Sequence, residues 1–103
     1  MIMKEITDGL KTLLSDNHYN PVTIQFYERE WKKIQAFLLA EYGDEGFDME
    51  RGLAYLEKQY GFQTRYNDGT LSQQRVQLLR VVHMLEDYRL HQVLTRRYYA
   101  SKN

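Results

Sequence analysis

The sequence predicts an all-α protein, a single domain with four helices, and two observations carry this prediction. Apolar residues recur at steps of three and four along most of the 103 residues, which is the period of a helix with one buried face. Helix-start and helix-stop residues, above all Asn20 with Pro21, Gly43 and Gly61, divide the chain into segments of helical length. A chain of this size has room for one domain with one core.

The composition narrows the class of protein further. The 14 basic and 14 acidic residues balance, which argues against a polycation that coats nucleic acid. The charge is nevertheless polarised, because residues 44–60 carry two basic and five acidic side chains and residues 61–103 carry seven and three. The absence of cysteine excludes thiolate metal sites and fits an intracellular location. No apolar run is long enough for a membrane span, and MIMKEITDGL lacks the layout of a signal peptide.

The first helix is predicted over Met3–Asp16. Its apolar stripe consists of Ile6, Leu10, Leu13 and Leu14. The polar positions Lys4, Asp8, Lys11 and Ser15 are expected to face water. Gly9 lies inside this helix, where glycine costs about 1 kcal/mol relative to alanine. The link that follows is short, so the next helix should be a close neighbour.

The second helix is the central one, because it is the longest and has the strongest start signal. Asn20 is a good N-cap, and Pro21 occupies the first helical position, where its missing N–H costs nothing. The apolar stripe contains Ile24, Tyr27, Trp31, Ile34 and Leu38. Because Trp31 belongs to this stripe, core packing is favoured over a role as a base-stacking platform.

The third helix should follow the turn formed by residues 43–46. Asp48 is its predicted N-cap, and Gly61 is a suitable C-terminal glycine. Its apolar stripe is predicted from Met49, Leu53, Leu56 and Tyr60.

Residues 61–70, GFQTRYNDGT, form the longest predicted connection. Asn67-Asp68-Gly69 is a turn signal, and a two-residue hairpin is one interpretation of it. Phe62 and Tyr66 are expected to pack against the helices.

The fourth helix is predicted from near Ser72 to about Leu90. Its core stripe contains Leu78, Val81, Val82, Leu85 and Tyr88. Its other side carries Gln73, Gln74, Gln77 and Arg80. One more turn through Val93 and Leu94 is expected before the chain frays.

No pattern typical of an enzyme site occurs. His18, His83 and His91 lack metal-binding spacing, and a structural role is favoured for His83. The acidic pairs Glu28 with Glu30 and Glu86 with Asp87 are interpreted as parts of solvated faces, because neighbours one or two positions apart diverge around a helix. Phosphate loops and nucleophile elbows are absent from the sequence. We therefore expect no catalysis, metal, cofactor or small-molecule ligand.

The best functional lead is a set of basic and amide side chains on two helices. Arginine and lysine bind phosphates, and arginine and glutamine match the edges of guanine and adenine. The set consists of Arg29, Lys32 and Lys33 in the second helix and Gln73, Gln74, Arg75, Gln77 and Arg80 in the fourth. It predicts a DNA-binding surface. The alternative is a helical protein–protein interaction domain with an apolar groove flanked by residues 44–60.

Two stretches carry a resemblance to a known family. HYNPVTIQFYEREWKKIQAFL and LSQQRVQLLRVVHMLEDYRLHQVLTRR resemble helices of the N-terminal core-binding domain of tyrosine recombinases, the phage-integrase family. The likeness is greatest to integrases of Gram-positive bacteria and their mobile elements. The matching positions are Tyr19, Asn20, Pro21, Thr23, Tyr27, Trp31, Phe37 and Leu38, then Ser72, Arg75, Arg80, Leu85 and Tyr88.

The resemblance implies a four-helix bundle of the SAM-like core-binding type over residues 1–97, with an interdomain linker beginning at residues 98–103. It implies duplex DNA as partner, a separate C-terminal catalytic domain of the same parent protein and a location in the bacterial cytoplasm. Because the family's catalytic arginines, His-x-x-Arg motif and nucleophilic tyrosine belong to that other domain, Tyr98 and Tyr99 are not expected to be nucleophiles. The DNA-facing residues would be Thr23, Arg29, Lys32, Lys33, Gln73, Gln74, Arg75, Gln77 and Arg80.

Overall fold

The structure, a computed structural model, describes residues 1–95, apart from the side chains of Gln73 and Gln74. Over this range the chain is an all-α helical bundle, and the one extended contact is an isolated bridge between Ile2 and Gly46. The helices are α1 (Met3–Asp16), α2 (Pro21–Tyr42), α3 (Met49–Tyr60), α4 (Phe62–Asp68), α5 (Gln73–Val76) and α6 (Leu78–His91).

Four long helices form the bundle, and α4 and α5 connect the third of them to the last. The helix α2 packs against α1 and α3, and α6 also packs against α1 and α3. The helices α2 and α6 therefore lie across the core from one another, with α1 and α3 on either side. This arrangement matters for the predicted site, because the predicted basic residues are divided between α2 and the α5–α6 segment.

The predicted ends of the first three helices are confirmed. The side chain of Asn20 accepts a hydrogen bond from the amide of Val22 at 2.8 Å, and Asp48 accepts one from the amide of Arg51 at 2.8 Å. Gly43 and Gly61 end their helices with φ of +76° and +60°, a conformation that glycine adopts without strain.

The core is built from most residues of the predicted stripes. Leu13 of the first stripe is only half-buried and is not part of the core cluster. Leu53 was predicted to be buried in α3 but is 46% exposed. Gly52, Tyr55 and Leu56 are the buried positions of that helix. The other buried apolar residues of the long helices are Met3, Ile6, Leu10, Leu14, Tyr27, Trp31, Ile34, Leu38, Leu78, Val81, Val82, Met84 and Leu85.

Two glycines allow helices to approach closely. A Cβ atom at Gly52 would lie 2.6 Å from Val82 of α6 and 3.0 Å from the ring of Phe47. A Cβ atom at Gly9 would lie 1.9 Å from the hydroxyl of Tyr88. Packing against α6 therefore explains both glycines, although glycine lowers the intrinsic stability of a helix.

The predicted connection at residues 61–70 is wrong in its local structure. Phe62–Asp68 forms the short helix α4, which ends at Gly69 with φ of +71°, and no hairpin forms there. Phe62 is buried as predicted, whereas Tyr66 is 39% exposed. Burial of Phe62 in the core stabilises α4, a short helix that the local sequence pattern did not predict.

The predicted fourth helix is interrupted at Gln77. Ser72 caps α5 by accepting a hydrogen bond from the amide of Arg75 at 3.2 Å, and α6 begins at Leu78. The core stripe of α6 is confirmed, with Tyr88 partly buried against it.

Beyond α6 the predicted extra helical turn does not form. Gln92 ends the helix with φ of +55°, Leu94 packs against the core, and the hydroxyl of Thr95 donates a hydrogen bond to the buried carboxylate of Asp87. Tyr98, Tyr99 and the predicted linker lie outside the described residues. Within residues 1–95, no helix has both the length and the apolar character needed to cross a membrane.

Candidate nucleic-acid interface

The helix α2 turns its aromatic stripe inward and its cations outward. Trp31 is 4% exposed, whereas Arg29, Lys32 and Lys33 are all exposed. Successive residues project about 100° apart around a helix, so the three cations do not share one direction. Lys32 projects on the side of α2 that faces α1, Lys33 projects on the side that faces α3, and Arg29 lies between them on the outward side.

The side of α2 that faces α1 contains a cleft, which we call the lysine cleft. It has a volume of about 220 Å³. Its lining residues are Met3, Lys4, Thr7, Asp8, Lys11, Glu28, Trp31, Lys32 and Gln35. A shallower depression with Val22, Gln25 and Arg29 in its wall shares Glu28 and Lys32 with the cleft. This depression is lined by α2 residues alone, so Arg29 is a neighbour of Lys32 on α2 but does not line the lysine cleft.

Two ion pairs lie at the lysine cleft. The ammonium of Lys11 is 3.7 Å from the carboxylate of Glu28, which joins α1 to α2. The ammonium of Lys4 is 3.2 Å from the carboxylate of Asp8 in the same helix. All four groups are at least one-third exposed in their side chains, so these pairs contribute little stability and can exchange partners easily.

Trp31 brings an unsatisfied donor into this region. Its indole nitrogen is buried and has no hydrogen-bond acceptor among the described residues. A buried donor without an acceptor costs about 1–3 kcal/mol. Trp31 is among the residues that line the lysine cleft, but its indole nitrogen is itself buried and is not exposed in the cleft.

On the side facing α3, Lys33 belongs to what we call the tyrosine cluster, formed by Glu30, Lys33, Tyr55, Tyr60 and Arg75. Glu30 is 7% exposed, and its carboxylate accepts hydrogen bonds from the hydroxyl of Tyr55 at 3.1 Å and from that of Tyr60 at 3.3 Å. The ammonium of Lys33 lies 3.4 Å from the same carboxylate. Glu30 is thus held by two phenols and one cation, which satisfies a carboxylate that is removed from water.

Arg75 completes the tyrosine cluster from α5. Its guanidinium carbon lies 4.9 Å from the centre of the Tyr60 ring, within the range of a cation–π contact. Because the hydroxyl of Tyr60 also reaches Glu30, the cluster connects α5 to α2 around the end of α3. Lys33 and Arg75 are therefore brought toward one surface.

The environment of the tyrosine cluster shifts the pKa of one of its members, Tyr55. Burial raises the pKa of the Tyr55 phenol far above its ordinary value, and the negative charge of Glu30 raises this pKa further. Tyr55 is therefore a neutral hydrogen-bond donor to Glu30 throughout the ordinary pH range.

The remaining predicted DNA-facing residues are less prominent. Thr23, Gln77 and Arg80 are half-buried, and both Gln77 and Arg80 make interactions within the protein. Gln73 and Gln74 have helical backbones in α5. Of the predicted cations, Lys32 thus lines the lysine cleft, Lys33 and Arg75 belong to the tyrosine cluster, and Arg29 projects from α2 between Lys32 and Lys33.

The interpretation of the acidic pairs as solvated faces is wrong for two of their members. Glu30 and Asp87 are buried, with 7% and 6% exposure. Both carboxylates have hydroxyl donors from outside their own helices, the tyrosines for Glu30 and Thr95 for Asp87. Among residues 1–95, no group of three or more histidine, aspartate or glutamate side chains is placed to hold a metal ion.

Sequence reasoning missed two cations of the lysine cleft. Lys4 and Lys11 were predicted only to face water, yet both line the lysine cleft with Lys32. Their seven-residue spacing places them on one side of α1, and the short link to α2 was the available signal that this side would meet the central helix.

The chain was compared with protein-family models, curated proteins and solved structures, and none of them matches it. The structure defines the class of this protein as an all-α helical bundle.

Proposed function

We propose that this bundle is a DNA-binding domain of a tyrosine recombinase, which clamps duplex DNA and positions a separate catalytic domain for integration or recombination. The observation that carries the proposal is the outward placement of Arg29, Lys32 and Lys33 on α2, with Trp31 turned into the core. The resemblance of residues 18–38 and 71–97 to the core-binding domain supports this proposal. The same resemblance implies that the protein acts in the bacterial cytoplasm.

The mechanism begins with phosphate contacts. Exposed lysine and arginine side chains neutralise phosphates and set the register of a protein on the duplex, but they carry little sequence information. Arg29 and Lys32 would contact one part of the backbone, and Lys33 and Arg75 another. The side chains of Gln73 and Gln74 would be the candidates for reading base edges.

The positions of α2 and α6 constrain this proposal. Because the two helices lie across the core from one another, a flat duplex surface cannot meet both helices along their lengths. The segment α5, which precedes the break at Gln77, carries Arg75 to the tyrosine cluster beside α2. DNA would therefore contact α2 and α5, rather than α2 and the body of α6.

Salt dependence of DNA affinity tests the proposal. Binding of a nonspecific duplex, followed by fluorescence anisotropy, should weaken steeply as salt rises, with about 0.9 unit of log–log slope per neutralised phosphate. Lys32→Gln and Arg75→Gln should each lower affinity and reduce the slope by about 0.9. The matched control is Lys58→Gln, because Lys58 is exposed on α3 and pairs with Glu41. Affinity that is independent of salt, or equal losses in all three variants, would contradict the proposal.

The alternative is a protein–protein interaction domain whose groove is flanked by the acidic residues 44–60. The contacts of these acidic residues give this alternative little support. Arg51 binds Asp44 at 2.7 Å and lowers the pKa of that carboxyl group, while Asp48 caps α3. Glu57 accepts a hydrogen bond from the amide of Gln63 at 2.8 Å. These carboxylates stabilise local structure, so they are less available to a partner. In an NMR titration with duplex DNA, shifts confined to residues 44–60 would favour the alternative.

A further inference from the structure

Tyr60 is the last residue of α3, and its side chain is held in place from two directions. Its hydroxyl donates a hydrogen bond of 3.3 Å to the buried carboxylate of Glu30 on α2. Its ring meets the ring of Tyr55 edge to face, with centres 6.2 Å apart and planes at 86°, an arrangement that is favourable between aromatic side chains. The ring of Tyr60 is therefore a fixed support at the surface of the tyrosine cluster.

This support carries Arg75 of α5. The guanidinium carbon lies 4.9 Å from the centre of the Tyr60 ring, within the range of a cation–π contact. Arg75 is exposed and forms no ion pair with a carboxylate in the described part of the chain. A guanidinium that rests on an aromatic ring keeps N–H donors at the edges of its plane for a further partner. Arg75 is therefore placed by the ring without being neutralised.

Lys33, the second cation of the tyrosine cluster, is only weakly paired. Its side chain is 53% exposed, and its ammonium lies 3.4 Å from Oε1 of Glu30. The other oxygen of that carboxylate, Oε2, accepts hydrogen bonds from Tyr55 and Tyr60. An exposed ion pair of this kind exchanges partners at little cost. Lys33 and Arg75 thus carry two positive charges beside a single carboxylate, which leaves the cluster with a net positive charge.

We propose that Tyr60 is a positioning residue of the nucleic-acid interface, which holds Arg75 beside Lys33 so that both cations meet backbone phosphates of a duplex. This inference rests on the proposed function and adds a residue outside the predicted DNA-facing set. An exposed arginine samples many rotamers, and binding has to immobilise it. Because the ring of Tyr60 already restricts the guanidinium, less freedom is lost when the duplex binds. Tyr60 acts through Arg75 and does not itself contact DNA.

A double-mutant cycle between Tyr60 and Arg75 tests this role. Duplex affinity is measured by fluorescence anisotropy at one salt concentration for Tyr60→Leu, Arg75→Gln and the double variant. Tyr60→Leu should weaken binding about fivefold, the effect of one preordered side chain. In the Arg75→Gln background the same change should cause no further loss, because the two residues act as a unit. Tyr60→Phe keeps the ring and should retain most of the affinity.

The matched control is Tyr42→Leu, which removes a similar pair from another part of the molecule. The guanidinium carbon of Arg51 lies 4.1 Å from the centre of the Tyr42 ring. Arg51 is bound to Asp44 at 2.7 Å and is not among the proposed DNA contacts. Duplex affinity should therefore be the same in Tyr42→Leu and in the unmodified protein.

A second comparison changes exposed side chains only, so it does not depend on whether Tyr60→Leu folds. Arg75→Lys and Arg29→Lys both keep the positive charge and lose the planar guanidinium. Arg75 rests on a ring, whereas Arg29 has no ring contact among residues 1–95. Arg75→Lys should therefore lose more affinity than Arg29→Lys, and equal losses would contradict the role of the ring.

An NMR measurement without DNA tests the contact itself. The Nε–H signal of Arg75, assigned by its absence in Arg75→Gln, should be displaced by the ring current of Tyr60. The displacement should persist in Tyr60→Phe and vanish in Tyr60→Leu, and a signal that is the same in both variants would overturn the inference.

The remaining outcomes separate the two proposals. Unchanged affinity in Tyr60→Leu, or losses that add in the double variant, would refute the positioning role and leave the proposed function standing. An unmodified protein that shows no salt-dependent duplex binding would refute both.

Discussion

The hydroxyl of Tyr55 in α3 donates a hydrogen bond of 3.1 Å to the carboxylate of Glu30 in α2, and both residues are buried. This contact joins α2 to α3 through a buried carboxylate and a buried phenol. It also holds the carboxylate that lies beside Lys33, one of the proposed DNA-binding cations. Core packing and the proposed interface therefore meet at Glu30.

Removal of the Tyr55 hydroxyl should destabilise the protein. Tyr55→Phe keeps the ring but takes a donor from the buried Glu30, so the free energy of unfolding should fall by about 1–3 kcal/mol. Urea denaturation measures this change. Tyr42→Phe is the control, because Tyr42 is 40% exposed and its hydroxyl loss should cost less than about 0.5 kcal/mol. Equal costs in the two variants would show that Glu30 does not depend on Tyr55.

Alkaline pH should weaken the fold through the same residue. The pKa of Tyr55 is raised in the native state, chiefly by burial, so below about pH 10 both native and unfolded chains keep its proton and no stability is lost. Above that pH the unfolded chain releases the proton and the native state retains it. Stability should then fall by about 1.4 kcal/mol per pH unit from this residue.

Urea unfolding at a series of alkaline pH values measures that slope. Other tyrosines contribute background, because the chain contains nine. The informative quantity is the difference between the unmodified protein and Tyr55→Phe, whose stability should decline less steeply. Parallel declines would mean that Tyr55 ionises as freely in the native state as in the unfolded chain.

Gly52→Ala should destabilise the bundle even though alanine favours helix formation. Its Cβ would lie 2.6 Å from the fully buried Val82, and overpacking of this kind costs about 1–3 kcal/mol. The second change Val82→Ala makes room for that atom. In a double-mutant cycle monitored by thermal unfolding, the pair should be more stable than the sum of its single changes predicts. Strict additivity would show that the two positions do not clash.

Trp31 should behave as a core residue in fluorescence and in stability. The native emission should be blue-shifted and should move to longer wavelength on unfolding, because the side chain is 4% exposed. Trp31→Ala should cost about 3–5 kcal/mol. Trp31→Phe should cost less, since it retains much of the buried ring and removes an N–H that lacks an acceptor. A native emission typical of full exposure would contradict the placement of Trp31 in the core.

The helix boundaries show where local sequence is sufficient. Asn20 and Asp48 correctly predicted helix starts, and Gly43 and Gly61 correctly predicted helix ends. Caps act through hydrogen bonds and backbone conformations within a few residues, so local sequence is enough to locate them. The break at Gln77 had no such signal, since neither glycine nor proline stands there. The helix α4 was missed because it is short and depends on the burial of Phe62 by other elements.

The candidate interface likewise has some features that the local sequence predicts and others that it does not. Exposure of Arg29, Lys32 and Lys33 could be predicted from their positions relative to the apolar stripe of α2, since helical periodicity determines which side faces water. Burial of Glu30 could not, because it depends on Tyr55 and Tyr60, which are distant in sequence. Local patterns have no information about partners that arrive from another helix.

By itself, then, the sequence determined an all-α protein, the ends of α1, α2 and α3 and the inward direction of Trp31, because these depend on periodicity and capping within a few residues. Only the tertiary structure decided that α2 and α6 lie across the core, that Lys4 and Lys11 join Lys32 in one cleft, and that Arg75 reaches the cluster around Glu30. Those relationships arise from the packing of whole helices, where shape and buried area over many residues choose the neighbours.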